Sequence, residues 1–300
     1  MRILITGHTG FLGSNLTLNL LNKHHRVVGL DLKKTSIFSN YKNFSQYKIN
    51  LLSLKKVYSL FKKLKKIDIL VHVAAKQPIK KDTKFNKYLK TNFYGTKNLA
   101  EACRDCGVKK IIFCSSFSVY GDKKSPIKEN TLPDPRNTYG LSKYLSENLL
   151  QYFANQFNIN VIILRFDGIY GKDQNLPGFM KMSFEYAIKN KQVLLFNMGK
   201  LKRDHVYVID AVKAINLAIK KINKFKFEIF NIGGKNPTSA FNIFKKIKKI
   251  CKSRSKIILS KKKLNFSQDV FLDISKAKNL LQFKPDSLDN NLKKMFQDVK

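Results

Sequence analysis

Apolar residues fall into two alternating patterns along the first 170 positions of the chain. Short continuous runs such as Ile3, Leu4 and Ile5 suit a strand covered on both faces, while Phe11, Leu12, Leu16, Leu20 and Leu21 recur at helical spacing. The pattern continues with a strand at 27–30, a short strand at 47–50, a helix at 54–66 and a largely apolar strand at 69–74. A helix at 84–106, a strand at 111–114, a helix at 141–157 and a strand at 161–166 follow. Regular alternation without a Pro-rich linker or internal repeat predicts an α/β fold, a doubly wound parallel sheet. The regularity stops near Gly171. Beyond it, Pro177-Gly178, Gly199, Gly233-Gly234 and Pro285 punctuate shorter elements, with strands expected at 206–208 and 227–232. The expected division is a nucleotide-binding domain over 1–170 and a smaller mixed α/β, substrate-binding lobe over 171–300. Ligand is expected between them, over the strand carboxyl ends.

The first strand runs into Gly7, Gly10 and Gly13, and a helix begins at once. Gly7 can take the tight turn, Gly10 leaves room for a pyrophosphate to reach the backbone, and Gly13 lets helix and strand pack closely. The helix start at Phe11 and Leu12 adds N–H groups and a partial positive charge, so an anion is expected there. A glycine triplet alone is weak, but context strengthens it: a strand before, a helix after, and Asp31 about 20 positions on, ending the apolar run Val27 to Leu30. A carboxylate there can accept both hydroxyls of an adenosine ribose and repels a 2′-phosphate, which points to a Rossmann-type domain and to NAD over NADP. Lys33 and Lys34 nearby act in the opposite sense.

Composition narrows the field. At 300 residues and 43% hydrophobic content the chain can bury a substantial core. It contains no apolar stretch near the ~20 residues that span a bilayer, so the expectation is a soluble, cytoplasmic protein with no membrane partner. Four cysteines suit a reducing compartment; Cys103 and Cys106 read as core residues on one helix face, and no metal is expected. The formal net charge of +38 would ordinarily suggest nucleic acid. Its distribution argues against a specific nucleic-acid site: in 54–66 and 243–251 lysines fill the solvent face of amphipathic helices, and Arg is scarce beside Lys.

Candidate chemistry lies at the strand ending in Cys114, where Ser115, Ser116 and Ser118 follow at the carboxyl end. Tyr139 and Lys143 share a face at the start of a helix through i, i+4 spacing. Two other Tyr-x-x-x-Lys matches, Tyr58 with Lys62 and Tyr120 with Lys124, lack that context: the first lies among the apolar positions of a helix and the second precedes a Gly-Asp turn. A lysine ammonium one turn away, with the positive nicotinamide ring, would favour a phenolate, making Tyr139 a base and Ser116 a hydrogen-bond partner of the reacting oxygen.

Thr6-Gly7-x-x-Gly10-Phe11-x-Gly13, Ala74-Ala75, Ser115-Ser116 before Val119-Tyr120-Gly121, and Tyr139-Gly-Leu-Ser-Lys143 together resemble the extended short-chain dehydrogenase/reductase family, in its NAD-dependent epimerase/dehydratase branch. Asn92, the segment 165–171, the run Arg203 to Asp210 and the segment from Asp273 resemble further family stretches, so the likeness runs end to end. The resemblance implies NAD held by Gly7, Gly10, Phe11, Leu12, Gly13, Asp31, Asn50, Leu51, Ala74, Ala75, Asn92, Tyr139 and Lys143. It implies catalysis by Ser116, Tyr139 and Lys143, a nucleotide-sugar substrate touching Ser116 and, through its diphosphate, Arg203, and a homodimer through the helices at 84–106 and 141–157. The expected activity is nucleotide-sugar epimerisation through a transient keto intermediate, with the product destined for surface polysaccharide. Reduction of a 4-keto nucleotide sugar by the same trio stays open, as does a non-catalytic NAD- or nucleic-acid-binding role.

Three departures refine the expectation. Dehydratases of the family carry Asp-Glu after the catalytic hydroxyl, where this chain has Phe117 and Ser118, so no acid is placed to expel a sugar hydroxyl. Asn50 stands for an adenine-contacting Asp, and its amide oxygen can still accept. Gly168 stands where many sugar-nucleotide enzymes have an Asn that reaches the diphosphate.

Overall fold

The structure is a computed structural model that describes residues 1–78, 85–174, 178–262 and 268–299. Lys84, at the head of the expected helix 84–106, lies outside the described residues, as does Pro177. In chain order the elements begin β1 (Arg2–Thr6), α1 (Phe11–Asn22), β2 (Arg26–Asp31), β3 (Phe44–Lys48), α2 (Leu54–Leu64), β4 (Ile69–His72), α3 (Phe85–Tyr88), a π-helical turn Leu89–Tyr94, α4 (Gly95–Asp105), β5 (Lys110–Ser116), α5 (Thr138–Phe157) and β6 (Asn160–Phe166). They continue β7 (Ile169–Tyr170), α6 (Phe179–Ile188), β8 (Val193–Leu195), β9 (Lys202–Arg203), β10 (Val206–Tyr207), α7 (Val208–Lys221), β11 (Phe227–Ile232), β12 (Thr238–Ser239), α8 (Ala240–Ile250), β13 (Ile257–Leu259), a π-helical turn Ala277–Leu281 and α9 (Leu288–Val299).

A seven-stranded sheet in the order β11-β6-β5-β4-β1-β2-β3 organises the chain. Strand β1 pairs in parallel with β2 and β4, β2 with β3, and β4 with β5. The order reverses between β1 and β4, the Rossmann-type switch point at which such sheets bind ligands beyond their carboxyl ends. Burial on both faces explains the unbroken apolar runs: Ile3, Leu4, Ile5 and Ile69 to Val71 are all at most 1% exposed. One core layer joins Leu4, Val28, Leu70, Phe113 and Ile163 of the sheet to Val57 and Phe61 of α2, Leu99 and Cys103 of α4, and Leu150 and Phe153 of α5. On α2 and α8 the apolar stripes face inward, with Val57, Leu60, Phe61 and Leu64 buried on one and Ile243, Phe244 and Ile247 on the other. Lys55, Lys56, Lys62 and Lys63 occupy the exposed face of α2. Among the described residues no helix is long and apolar enough to cross a membrane.

The chain divides into two compact units, 1–122 with 131–165 and 212–230, and 123–130 with 166–211 and 231–300. The strand Phe227–Ile232, expected from its position in the chain to belong to the smaller lobe, forms the edge of the large sheet beside β6 instead. Its apolar run is compatible with either location. Only pairing with a strand distant in the chain decides it. The second unit carries small two-stranded ladders, β10 with β7, β12 with β9 and β13 with β8, together with α6, α8 and α9.

Candidate active site

The glycine turn has the geometry of a phosphate cradle. Gly7 adopts φ +76°, and a Cβ built there would lie 2.8 Å from the backbone of Ala74; one on Gly13 would lie 1.9 Å from the Gly7 carbonyl oxygen. No side chain fits at either position, so the backbones of β1, α1 and the Ala74-Ala75 segment approach as closely as a pyrophosphate site requires. Gly10 caps α1 without any side-chain hydrogen bond, so no side chain of the cap claims the first helical N–H groups, at Phe11 and Leu12. Asp31 closes β2 at the neighbouring strand end. Its Oδ2 accepts from the Thr9 N–H at 3.1 Å and the Thr9 hydroxyl at 2.8 Å, and its Oδ1 accepts from the Leu32 N–H at 2.6 Å. Thr9, which no sequence pattern marks, therefore fixes the carboxylate that would take the ribose. Asn50 is exposed, with its Oδ1 accepting from the Leu52 N–H at 3.0 Å, and the Leu51 carbonyl is held by Asn98 Nδ2 at 2.8 Å. These residues fit NAD: a glycine-flanked turn at a helix start, then an acceptor one strand over.

Asn92 sits in the π-helical turn, 1% exposed. Its Oδ1 accepts from the Lys76 N–H at 2.7 Å, and its Nδ2 donates to Ser142 Oγ at 2.9 Å and to the Lys76 carbonyl at 3.3 Å. The widened turn also frees its carbonyl to accept from Thr96 Oγ1 at 2.5 Å and Ser146 Oγ at 3.2 Å. Asn92 thus ties the loop after β4 to α5 one residue ahead of Lys143. A second buried link runs from Thr6 Oγ1 through His72, at 2.7 and 2.9 Å, to Thr96. Burial holds His72 at about 3, so it is neutral at physiological pH.

Ser116, Tyr139 and Lys143 converge. Ser116 ends β5, 8% exposed, and α5 starts at Thr138 because Asn137 caps it, its Oδ1 accepting from the Gly140 N–H at 2.8 Å. Tyr139 is 8% exposed, and its phenol hydrogen-bonds the side chains of Gln77 and Ser116. Burial pushes the phenol up to about 12, and those two hydrogen bonds pull it back only in part. Lys143, expected one turn away to lower it, points its Nζ to the Cys114 carbonyl at 2.7 Å, 4.4 Å from the Phe113 ring centroid. Burial lowers Lys143 to about 8, against the pull of Cys114 and Glu147.

Behind the trio lies a buried network that no sequence pattern announces. Glu147, four residues after Lys143, pairs with Arg165 at 2.6 Å with side-chain exposures of 2% and 3%, and takes a short hydrogen bond from Ser115 Oγ. The Arg165 guanidinium stacks 4.7 Å from the Tyr120 ring centroid, and Tyr120 is fully buried. Tyr58 bonds Asp105 at the surface of α2 and α4. Arg203 belongs to the second unit, in β9, where it lies in the field of Asp167 and Asp269. A Cβ on Gly168 would come within 2.9 Å of His205 Nδ1, so the histidine ring occupies the space an Asn side chain would need.

Residues 3–233 match the NAD dependent epimerase/dehydratase family. The chain belongs to that family. The uncharacterized UDP-glucose epimerase YtcB of Bacillus subtilis (strain 168) is 31% identical over 299 residues, which cover 95% of this chain and 93% of that relative. The structure of a Thermotoga maritima UDP-glucose 4-epimerase with UDP-glucose superposes with a TM-score of 0.88 at 28% identity, covering 100% and 98% of the two chains. A Bacillus cereus UDP-glucuronic acid 4-epimerase in complex with NAD gives 0.84 at 30% identity, again over 100% and 98%. This member of the epimerase/dehydratase family is an NAD-dependent enzyme built on a Rossmann-type sheet.

Proposed function

We propose that this epimerase/dehydratase inverts a hydroxyl-bearing carbon of a nucleotide sugar through a transient keto intermediate, with NAD held at the glycine cradle and Asp31. The observation that carries the reading is the convergence of a buried phenol, a serine hydroxyl and a buried lysine at the end of β5, with no carboxylate at Phe117 or Ser118 to expel a hydroxyl. The UDP-sugar 4-epimerases among its relatives support it.

Tyr139 Oη takes the proton of the sugar hydroxyl, and Ser116 Oγ donates to the same oxygen as it becomes a carbonyl. The chemistry that NAD supplies when bound is acceptance of a hydride from that carbon and its return. Lys143, held on the Cys114 carbonyl, keeps an ammonium one helical turn from Tyr139, and Asn92 fixes this start of α5 through Ser142, so the tyrosine is oriented for proton return. A phenol raised by burial needs nearby positive charge to ionise; Lys143 supplies it within this chain, and bound NAD would add to it. Incubation with UDP-glucose, UDP-glucuronic acid and their N-acetylated counterparts, read by NMR, tests the reading. Inverted product without net consumption of NAD supports it, whereas stoichiometric consumption of reduced cofactor on a keto sugar makes the enzyme a reductase.

The same reading includes a homodimer through the stretches 84–106 and 141–157. Tyr94 and Tyr152 stand 50% and 55% exposed, while Phe153 packs in its own core. A single-chain mass by light scattering at micromolar concentration removes it.

A further inference from the structure

Two carboxyls of the second unit take no part in the chemistry assigned to Tyr139. Asp167 follows β6 and Asp204 follows β9, and each is 4% exposed. Asp167 Oδ1 accepts from the Gly168 N–H at 2.7 Å, while its Oδ2 is buried with no hydrogen-bond partner. β7 and β10 pair in parallel with Ile169 opposite Val206, and the Val206 N–H donates to the Gly168 carbonyl at 3.1 Å, so the chain sets Asp167 beside Asp204 two residues before each strand partner. Asp204 is wedged against two glycines: a Cβ on Gly234 would lie 2.6 Å from its Oδ1, and one on Gly233 2.9 Å from its Oδ2. A buried carboxylate oxygen without a donor is costly, and two carboxyls close together cannot both ionise cheaply.

We propose that Asp167 and Asp204 share one proton, and that the charge of this pair sets how tightly Arg203 holds an anionic, diphosphate-bearing substrate. The inference rests on the nucleotide-sugar reading, which is what brings a diphosphate to Arg203. Burial pushes Asp167 up to about 6, and burial with the Asp167 charge pushes Asp204 up to about 7. Charged and titratable groups facing the pair, among the described residues, are Arg203 and His205 on the same segment, Lys278 from the second π-helical turn, and Asp269 beside Arg203. Tyr170, Lys235 and Asp286 line the small cavity that Asp204 also borders. With both acids ionised, two negative charges oppose one guanidinium, and an arriving diphosphate meets net repulsion. With one proton on the pair the charges balance. Substrate binding therefore takes up a proton, and affinity falls as pH rises through the range where the pair titrates. Asp167 is a specificity-determining residue here: it tunes substrate affinity without touching the reacting atoms.

Calorimetry of UDP-glucose binding to the NAD-loaded protein between pH 5.5 and 8.5 tests the inference, because a diphosphate diester stays fully ionised over that range. In the parent, affinity should fall roughly tenfold, the change expected for a one-unit shift of the pair on binding. Titrations near pH 6.5 in two buffers of different ionisation enthalpy should show proton uptake. Asp167→Asn should bind more tightly than the parent at pH 8, abolish most of the uptake and flatten the profile, moving KM more than kcat. UDP-glucose binding with a flat pH profile and no proton uptake in the parent overturns the inference without needing a folded variant. No UDP-glucose binding at any pH, with NAD held normally, overturns the UDP-sugar reading along with it.

Discussion

Two corners of this protein bury ionisable groups beside the ends of sheet strands, and they treat charge in opposite ways. Around Lys143 and Arg165, Glu147 is hydrogen-bonded by Arg165 and by Ser115, and the Lys143 ammonium rests on the Cys114 carbonyl. Around Asp167, one carboxylate oxygen has no hydrogen-bond partner and a second carboxyl stands close by. A satisfied buried network fixes geometry, because any change in protonation strands a partner. An unsatisfied acidic pair does the reverse and holds its charge near a balance point. The first corner thus holds its charges against hydrogen-bonded partners, while the acidic corner leaves one carboxylate oxygen without one.

The sharpest way to break the first corner is Tyr139→Phe, which deletes one oxygen and leaves the ring packed. Turnover should fall by ~10²–10⁴-fold or more, the usual contribution of a general base, with NAD affinity unchanged in a cofactor titration. Retained turnover would separate the trio from the chemistry. Next in size, Glu147→Gln leaves the Arg165 charge buried without its partner, so denaturant unfolding should show a loss of about 3–5 kcal/mol. A loss under about 1 kcal/mol would mean that the corner is not charge-locked.

Asp167→Asn should act with the opposite sign. Below its ordinary value near 3.8, Asp167 is protonated in both folded and unfolded chains; as pH rises toward about 6, only the unfolded chain ionises freely, so the parent loses stability across that window. The asparagine variant never ionises there and should gain on the parent at pH 8 by on the order of 1–3 kcal/mol, with no gain at pH 3.5. An equal difference at both pH values would mean that Asp167 does not titrate. Smallest of all, Tyr58→Phe loses only a surface bond to Asp105 and should keep turnover within a few-fold. A large loss there would shift the base away from Tyr139.

The two corners also differ in how far the chain alone announces them. Ser116, Tyr139 and Lys143 were legible as candidates because each belongs to a local pattern: a strand end rich in hydroxyls, a helix start, an i, i+4 pair. The glycine turn and Asp31 were legible for the same reason. Glu147 was half visible, four residues after Lys143, but its partner Arg165 lies on another strand and nothing local marks the pair. Asn92 was named by resemblance, whereas its π-helical turn and its grip on Ser142 emerge only in three dimensions.

What the sequence by itself determined is whatever short-range periodicity encodes: the βα alternation, the phosphate turn, the inward stripes of α2 and α8 and the face shared by Tyr139 and Lys143. What only the tertiary structure decided is whatever depends on distant segments meeting in the absence of water. That includes the strand Phe227–Ile232 at the sheet edge, the burial that raises the Tyr139 phenol in the protein alone, and the unsatisfied Asp167 beside Asp204. Spacing along a chain specifies which residues share a face, but solvation and long-range pairing set their charge, and neither exists until the chain has folded.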